Sequence, residues 1–145
     1  MSELCEGLKQ CLALTKLALL LSDCAIEDQV FLVLSRTTGE LNNLTHLFLQ
    51  LSKNVINESI VDLGNNLNFN KKLRSINLIV GFNQISDKSK FGLCMALRNS
   101  DNLTEIRVAA LCQRNANQQV QDQQKNIIQN NLKKCRKLIK LNLQI

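Results

Sequence analysis

One histidine and six cysteines are the residues best suited to proton transfer, nucleophilic attack or metal binding in this chain. His46 could serve as a general base for a serine or cysteine nucleophile, and thiolates could hold zinc. Zinc needs ligands at close, regular spacing, but Cys5, Cys11, Cys24, Cys94, Cys112 and Cys135 form no CxxC pair and do not cluster with His46. No Ser or Cys has a visible base partner, so a catalytic triad cannot be assembled from the pattern. His46 reads instead as a surface residue of a strand. The acidic residues lack metal-cluster spacing, and Gly64 and Gly92 fall inside helical apolar stripes rather than in a Gly-rich phosphate loop. A non-enzyme with no cofactor and no metal is expected.

A second chemistry is electrostatic. The net charge is +6, and much of the excess sits at Lys133, Lys134, Arg136, Lys137 and Lys140. Such a run can attract phosphates or acidic partners, which makes an RNA or acidic-lipid binder an alternative whose affinity should fall steeply with salt. No aromatic residue interleaves these charges for base stacking, and the plainer reading is a solvated face of the last helix and loop.

The cysteines are better read as free thiols in a reducing, cytoplasmic compartment. The apolar stretch from Leu12 to Leu21 is interrupted by Lys16, follows Glu3 and Glu6 without a basic lead, and is too short to span a membrane. With no secretory signal, the three N-x-[ST] sequons at Asn43, Asn57 and Asn102 are coincidences of an Asn-rich chain. At 145 residues the chain fits one domain, 1–145, able to bury a real core. With five Phe and no Trp or Tyr, that core is repetitive and aliphatic.

The elements that position everything else come from a repeat. The pattern L-x-x-L-x-L occurs five times: Leu14, Leu17, Leu19; Leu44, Leu47, Leu49; Leu73, Ile76, Leu78; Leu103, Ile106, Val108; and Leu138, Leu141, Leu143. A fourth alternating apolar residue follows as Leu21, Leu51, Val80 and Ala110, and period-two alternation of this length predicts a strand with one buried face. Six residues before each first leucine stands Leu8, Leu67, Leu97 or Leu132, with Thr38 breaking the pattern in the second unit. Beyond the strands, Asn54 and Asn83 recur, with Cys24 in the same place of the first unit. A buried Asn there is expected to bond backbone groups that a tight turn leaves unpaired.

Helical spacing fills the remainder of each unit, as in Ile60, Leu63, Gly64, Leu67 and in Lys90, Leu93, Cys94, Leu97. Val30, Phe31, Val33 and Leu34 approximate the stripe in the first unit, and Ile127, Ile128 and Leu132 in the fourth. Asp62, Asn65, Asn66, Lys88, Lys90 and Arg98 are left to face water. The Asn/Gln-rich segment 113–121 is expected to be a mobile loop, and a last strand ending at Ile145 is expected to offer an edge for self-association.

With L-T-H-L-F-L-Q-L-S-K-N-V-I from Leu44 and L-R-S-I-N-L-I-V-G-F-N-Q-I from Leu73, residues 8–145 resemble leucine-rich repeats of ribonuclease-inhibitor type. They depart from that pattern by two extra residues between strand and Asn. The resemblance implies an α/β fold: a short leucine-rich-repeat solenoid of about five strand-turn-helix units, with a parallel sheet on the concave face and helices on the convex face. It also implies binding of a partner through the concave face. Ran GTPase-activating proteins resemble the same class, which gives a regulatory alternative, although their functional loop residues have no match here.

Alternation places three columns on that face. Lys16, His46, Ser75, Glu105 and Lys140 form the first; Ala18, Phe48, Asn77, Arg107 and Asn142 the second; Leu20, Gln50, Ile79, Ala109 and Gln144 the third. Leu20, Phe48 and Ile79 would stand together as apolar residues flanked by Lys16, His46 and Arg107, the composition of a modest protein-binding patch. The expected function is a non-catalytic interaction module or scaffold.

Overall fold

Strands and helices alternate along the chain because its apolar spacing alternates between periods of two and of about 3.6. The computed structural model describes residues 2–109, residue 126 and the backbone of a strand at 140–144. In order these are α1 (Ser2–Gln10), β1 (Lys16–Leu20), α2 (Asp28–Glu40), β2 (His46–Gln50), α3 (Ser59–Leu67), β3 (Ser75–Ile79), α4 (Asp87–Arg98), β4 (Glu105–Ala109) and β5 (Lys140–Gln144). The strands form one parallel sheet in the order β1-β2-β3-β4-β5. The predicted loop at 113–121, the stripe at Ile127, Ile128 and Leu132, and Ile145 lie outside the described residues.

The register follows the repeat. Leu17, Leu47, Ile76, Ile106 and Leu141 pair in one row, and Leu19, Leu49, Leu78, Val108 and Leu143 in another. A slip by one residue would turn each row of leucines to solvent, so burial of one face fixes this alignment. Leu47, Leu49, Leu51, Ile76, Leu78 and Val80 pack against Phe31, Leu34, Ile60, Leu63, Leu93 and Leu97 of the helices in one core. Each fully buried aliphatic side chain there contributes about 1.5 to 3 kcal/mol. The stretch Leu12–Leu21 is divided between a turn and β1.

The helices pack at close range. A Cβ added to Gly39 of α2 would stand 2.6 Å from the Asn66 carbonyl oxygen of α3, and one added to Gly64 of α3 would stand 2.7 Å from the Ala96 Cβ of α4. Asn66 therefore departs from its expected place in water: it lies between α2 and α3, where its Nδ2 donates to Ser35 Oγ at 2.9 Å. Thr38, which breaks the leucine pattern, remains in the core because its hydroxyl donates to the Ser35 carbonyl one turn back.

The turns after the strands are held by asparagine. Asn54 Oδ1 accepts from the N–H groups of Cys24 at 3.1 Å and Ile26 at 2.9 Å, while its Nδ2 donates to the carbonyls of Leu21 at 2.8 Å and Leu51 at 2.9 Å. Asn83 does the same one unit on, accepting from Ile56 N–H and donating to Leu51 and Val80 carbonyls. Each Asn thus satisfies part of the preceding unit's turn as well as its own. The residue before each of these positions, Asp23, Lys53 or Phe82, holds a left-handed φ of 58°, 58° or 57°. No glycine fills the place, so the side-chain cage imposes a conformation that costs each residue about 1–2 kcal/mol.

A second inter-unit lock joins the helix starts. Asp28, the first residue of α2, accepts from the backbone N–H groups of Asn57 at 2.7 Å and Glu58 at 3.2 Å, and from the N–H and hydroxyl of Ser59. These groups sit at the N-terminus of α3, where unpaired donors and the helix dipole favour an anion. Partial burial pushes the Asp28 carboxyl up, but the bonds from Ser59, Asn57 and Glu58 outweigh it and hold the group below its ordinary value.

Candidate functional site: the open face of the sheet

Because helices cover one face of the sheet, alternate residues of each strand point from the other. Register places Lys16 beside His46, His46 beside Ser75 and Ser75 beside Glu105; Ala18, Phe48, Asn77 and Arg107 form the next row, and Leu20, Gln50, Ile79 and Ala109 the third. Lys140 and Asn142 of β5 pair in register with Glu105 and Arg107, and their side chains lie outside the described residues. The face is therefore assembled as the alternation expects, but its two halves differ.

The half over β1 to β3 carries the large apolar residues of the face among polar neighbours. Leu20 is 69% exposed, while Phe48 and Ile79 are half-buried. Phe48 lies on the strand between the other two and one position pair nearer the strand start, so the three form a triangle around Gln50. His46 stands exposed beside them, its Nδ1 2.8 Å from the Thr45 hydroxyl. Exposed on β2 with a partner on its own strand's approach, His46 is a surface strand residue.

The half over β3 and β4 is polar and tied together. Ser75 Oγ donates to Glu105 Oε2 at 3.1 Å, and Arg107 Nη2 lies 2.8 Å from Glu105 Oε1. The carboxylate is thereby shared between two strands. Among the described residues, Arg107 Nε is buried without a hydrogen-bond partner. Sequence reasoning set these residues in adjacent columns without seeing the network, although Glu105 and Arg107 two apart on one strand face give the signal that could have found it.

Residues 1–109 contain eleven Lys and Arg against eleven Asp and Glu, so the whole excess belongs to residues 110–145. Lys133, Lys134, Arg136 and Lys137 lie outside the described residues, as do Cys112 and Cys135. Among the described residues, Cys5 and Cys94 are buried, Cys11 and Cys24 exposed, and no group of three His, Cys, Asp or Glu side chains could hold a metal. Also among them, no helix is long and apolar enough to cross a membrane.

Two concavities, of about 270 and 330 Å³, lie at the other end of the units, around the helix C-termini. They share Glu40 and Asn42, and Leu12 lines one and Phe69 the other. Both side chains are more than two-thirds exposed. Sequence reasoning did not single them out, because neither occupies a repeat position.

No family model matches the chain, and no curated protein sequence matches it. Its fold is shared with solved structures that include a leiomodin domain and a tropomodulin domain. The leiomodin-1 actin-binding site 2 domain superposes with a TM-score of 0.70 at 20% identity, covering 99% of this chain and 78% of that one. The tropomodulin C-terminal domain of Caenorhabditis elegans gives 0.68 at 11% identity, covering 99% and 82%. These neighbours correct the resemblance to ribonuclease-inhibitor-type leucine-rich repeats. The L-x-x-L-x-L spacing specifies parallel strands with a buried face backed by helices, which any stack of such units requires, so the spacing fixes burial and not kinship. What the likeness establishes is a mixed α/β fold shared with the leiomodin-1 and tropomodulin domains.

Proposed function

We propose that this chain is a non-catalytic protein-interaction module that takes its partner on the open sheet face, with Phe48 as the central anchor. The observation that carries the reading is the triangle of Leu20, Phe48 and Ile79 next to the fixed Glu105–Arg107 pair. Apolar anchors beside an oriented charge are what a protein surface of opposite pattern can desolvate and pair. Gln50 stands between Leu20 and Ile79; Lys16, His46, Ser75 and Asn77 form the rim, and Lys140 and Asn142 extend it by register.

The reading takes residues 1–145 as one domain, a stack of five repeating units working in the cytoplasm without a cofactor. Likeness to the leiomodin-1 actin-binding site 2 domain makes actin the first partner to test. Co-sedimentation with actin filaments and titration of labelled actin monomers should show binding that Phe48→Asp weakens at least about 30-fold, as for a hot-spot residue. The melting temperature should change little, because Phe48 is half-buried. Unchanged binding would remove Phe48 and this face from the proposal. If Phe48→Asp unfolds the chain, the residue belongs to the core instead. No actin binding by the wild-type chain would leave the fold likeness without a shared partner.

A further inference from the structure

The first unit presents a stacking face with nothing among the described residues stacked on it. Leu14, Leu19 and Leu21 are only partly buried, whereas Leu44, Leu49 and Leu51, at the same repeat positions, are fully buried. On the helices, Leu4 is 37% exposed while its equivalents Leu34, Leu63 and Leu93 are at most 3% exposed. Ala96 of α4 and Asn66 of α3 face the preceding helix, against Gly64 and Gly39. Gly7 holds that position in α1, and a Cβ added there would meet nothing within 4 Å.

The backbone of β1 is open along the same side. Leu21 and Asp23 N–H groups donate to the Gln50 and Ser52 carbonyls, and the Thr15 carbonyl accepts from Thr45 N–H. Since successive residues of a parallel strand turn their polar groups to opposite sides, the N–H and C=O groups of Lys16, Ala18 and Leu20 point to the unpaired edge. An edge of this kind is a template for another strand.

We propose that a second copy of this chain covers this face, with the two β1 strands pairing antiparallel about a two-fold axis at Ala18. The sequence K-L-A-L-L fits its own reversal in that register. Ala18 meets Ala18 at the axis, and all outward groups of Lys16, Ala18 and Leu20 find partners. Lys16 lies opposite Leu20 of the other copy, so its aliphatic stem covers a leucine now 69% exposed and no lysine faces a lysine. Leu17 and Leu19 meet across the helix-side face. The α1 helices become antiparallel neighbours through Leu4 and Gly7, with Glu3 of one toward Lys9 of the other. Glu6 is already neutralised by Lys9 at 3.1 Å. The contact is isologous and closes at two copies.

Sedimentation equilibrium of the full chain across a wide concentration range, without any partner, tests this independently of the proposed function. The wild type should reach a dimer. Leu20→Lys, at an exposed position, should place like charges opposite one another twice and weaken association at least about tenfold without loss of helix content. Adding Lys16→Glu to that variant should restore the dimer, since each Glu would face the other copy's new Lys. A monomer at every concentration, indifference to Leu20→Lys, or failure of the second charge to rescue would each overturn the proposal.

Discussion

The first and second units carry the same leucines in the same order, yet only the second is closed. Leu49 is 1% exposed because strands pair on both sides of it, whereas Leu19, at the same repeat position on β1, has one neighbouring strand. The turns differ likewise. Asn54 makes five backbone bonds across two turns, while its counterpart Cys24 offers a thiol to the Ser22 carbonyl at 3.3 Å and is itself served by Asn54. The lesson is directional: the turns of the first two units are each completed by the asparagine of the unit that follows, and leucines are fully covered where a strand pairs on both sides. In a stack, stability is shared between neighbours, so one repeat pattern gives different energies at different places.

That contrast can be broken first at the turn. Asn54→Ala should cost about 3 kcal/mol, because it strands buried donors and acceptors of two units at once. Cys24→Ala, at the same repeat position, should be close to neutral. Urea unfolding of both variants measures the difference, and equal losses would mean the turns are independent. The core gives the next effect. Leu49→Ala should cost about 3 kcal/mol by cavity formation, and Leu19→Ala about 1 kcal/mol, because a partly solvated site has less to lose. If Leu19→Ala costs as much as Leu49→Ala in dilute solution, the first unit is covered even in the monomer.

The smallest effect sharpens the link between units at the helix starts. Because the Asp28 carboxyl is held below its ordinary value, the stability it contributes is fully present above that value and is lost as pH falls through the folded one. Asp28→Asn should therefore cost about 1 kcal/mol near neutrality and flatten the acid limb of the stability profile below about pH 4. An unchanged acid limb would show that the bonds to Asn57, Glu58 and Ser59 do not depend on the charge.

Much of this was legible in the residues. The strands fall on the predicted triplets, and α3 and α4 on the predicted stripes, whereas in α2 Phe31 and Leu34 turn inward and Val30 and Val33 are exposed; Asn54 and Asn83 bond the turn backbone as their spacing requires. The three columns of the open face follow from period-two alternation once the strands are placed. The Asp28 lock was not legible, because its partners are about 30 residues away and carry no motif. Asn66 was assigned to solvent by helical periodicity, which records distance from the sheet and is blind to a neighbouring helix. Kinship was misread for a related reason: leucine spacing reports what a strand buries, and the structural neighbours are the leiomodin-1 and tropomodulin domains.

By itself the sequence determined the order of elements, the parallel register and the face each strand side chain takes, since these depend only on local period and on repetition. The tertiary structure alone decided which leucines are closed, which Asn serves which turn, and that Ser75, Glu105 and Arg107 act together. Burial and hydrogen bonding belong to pairs of units, and no unit's own residues state whether a neighbour is present.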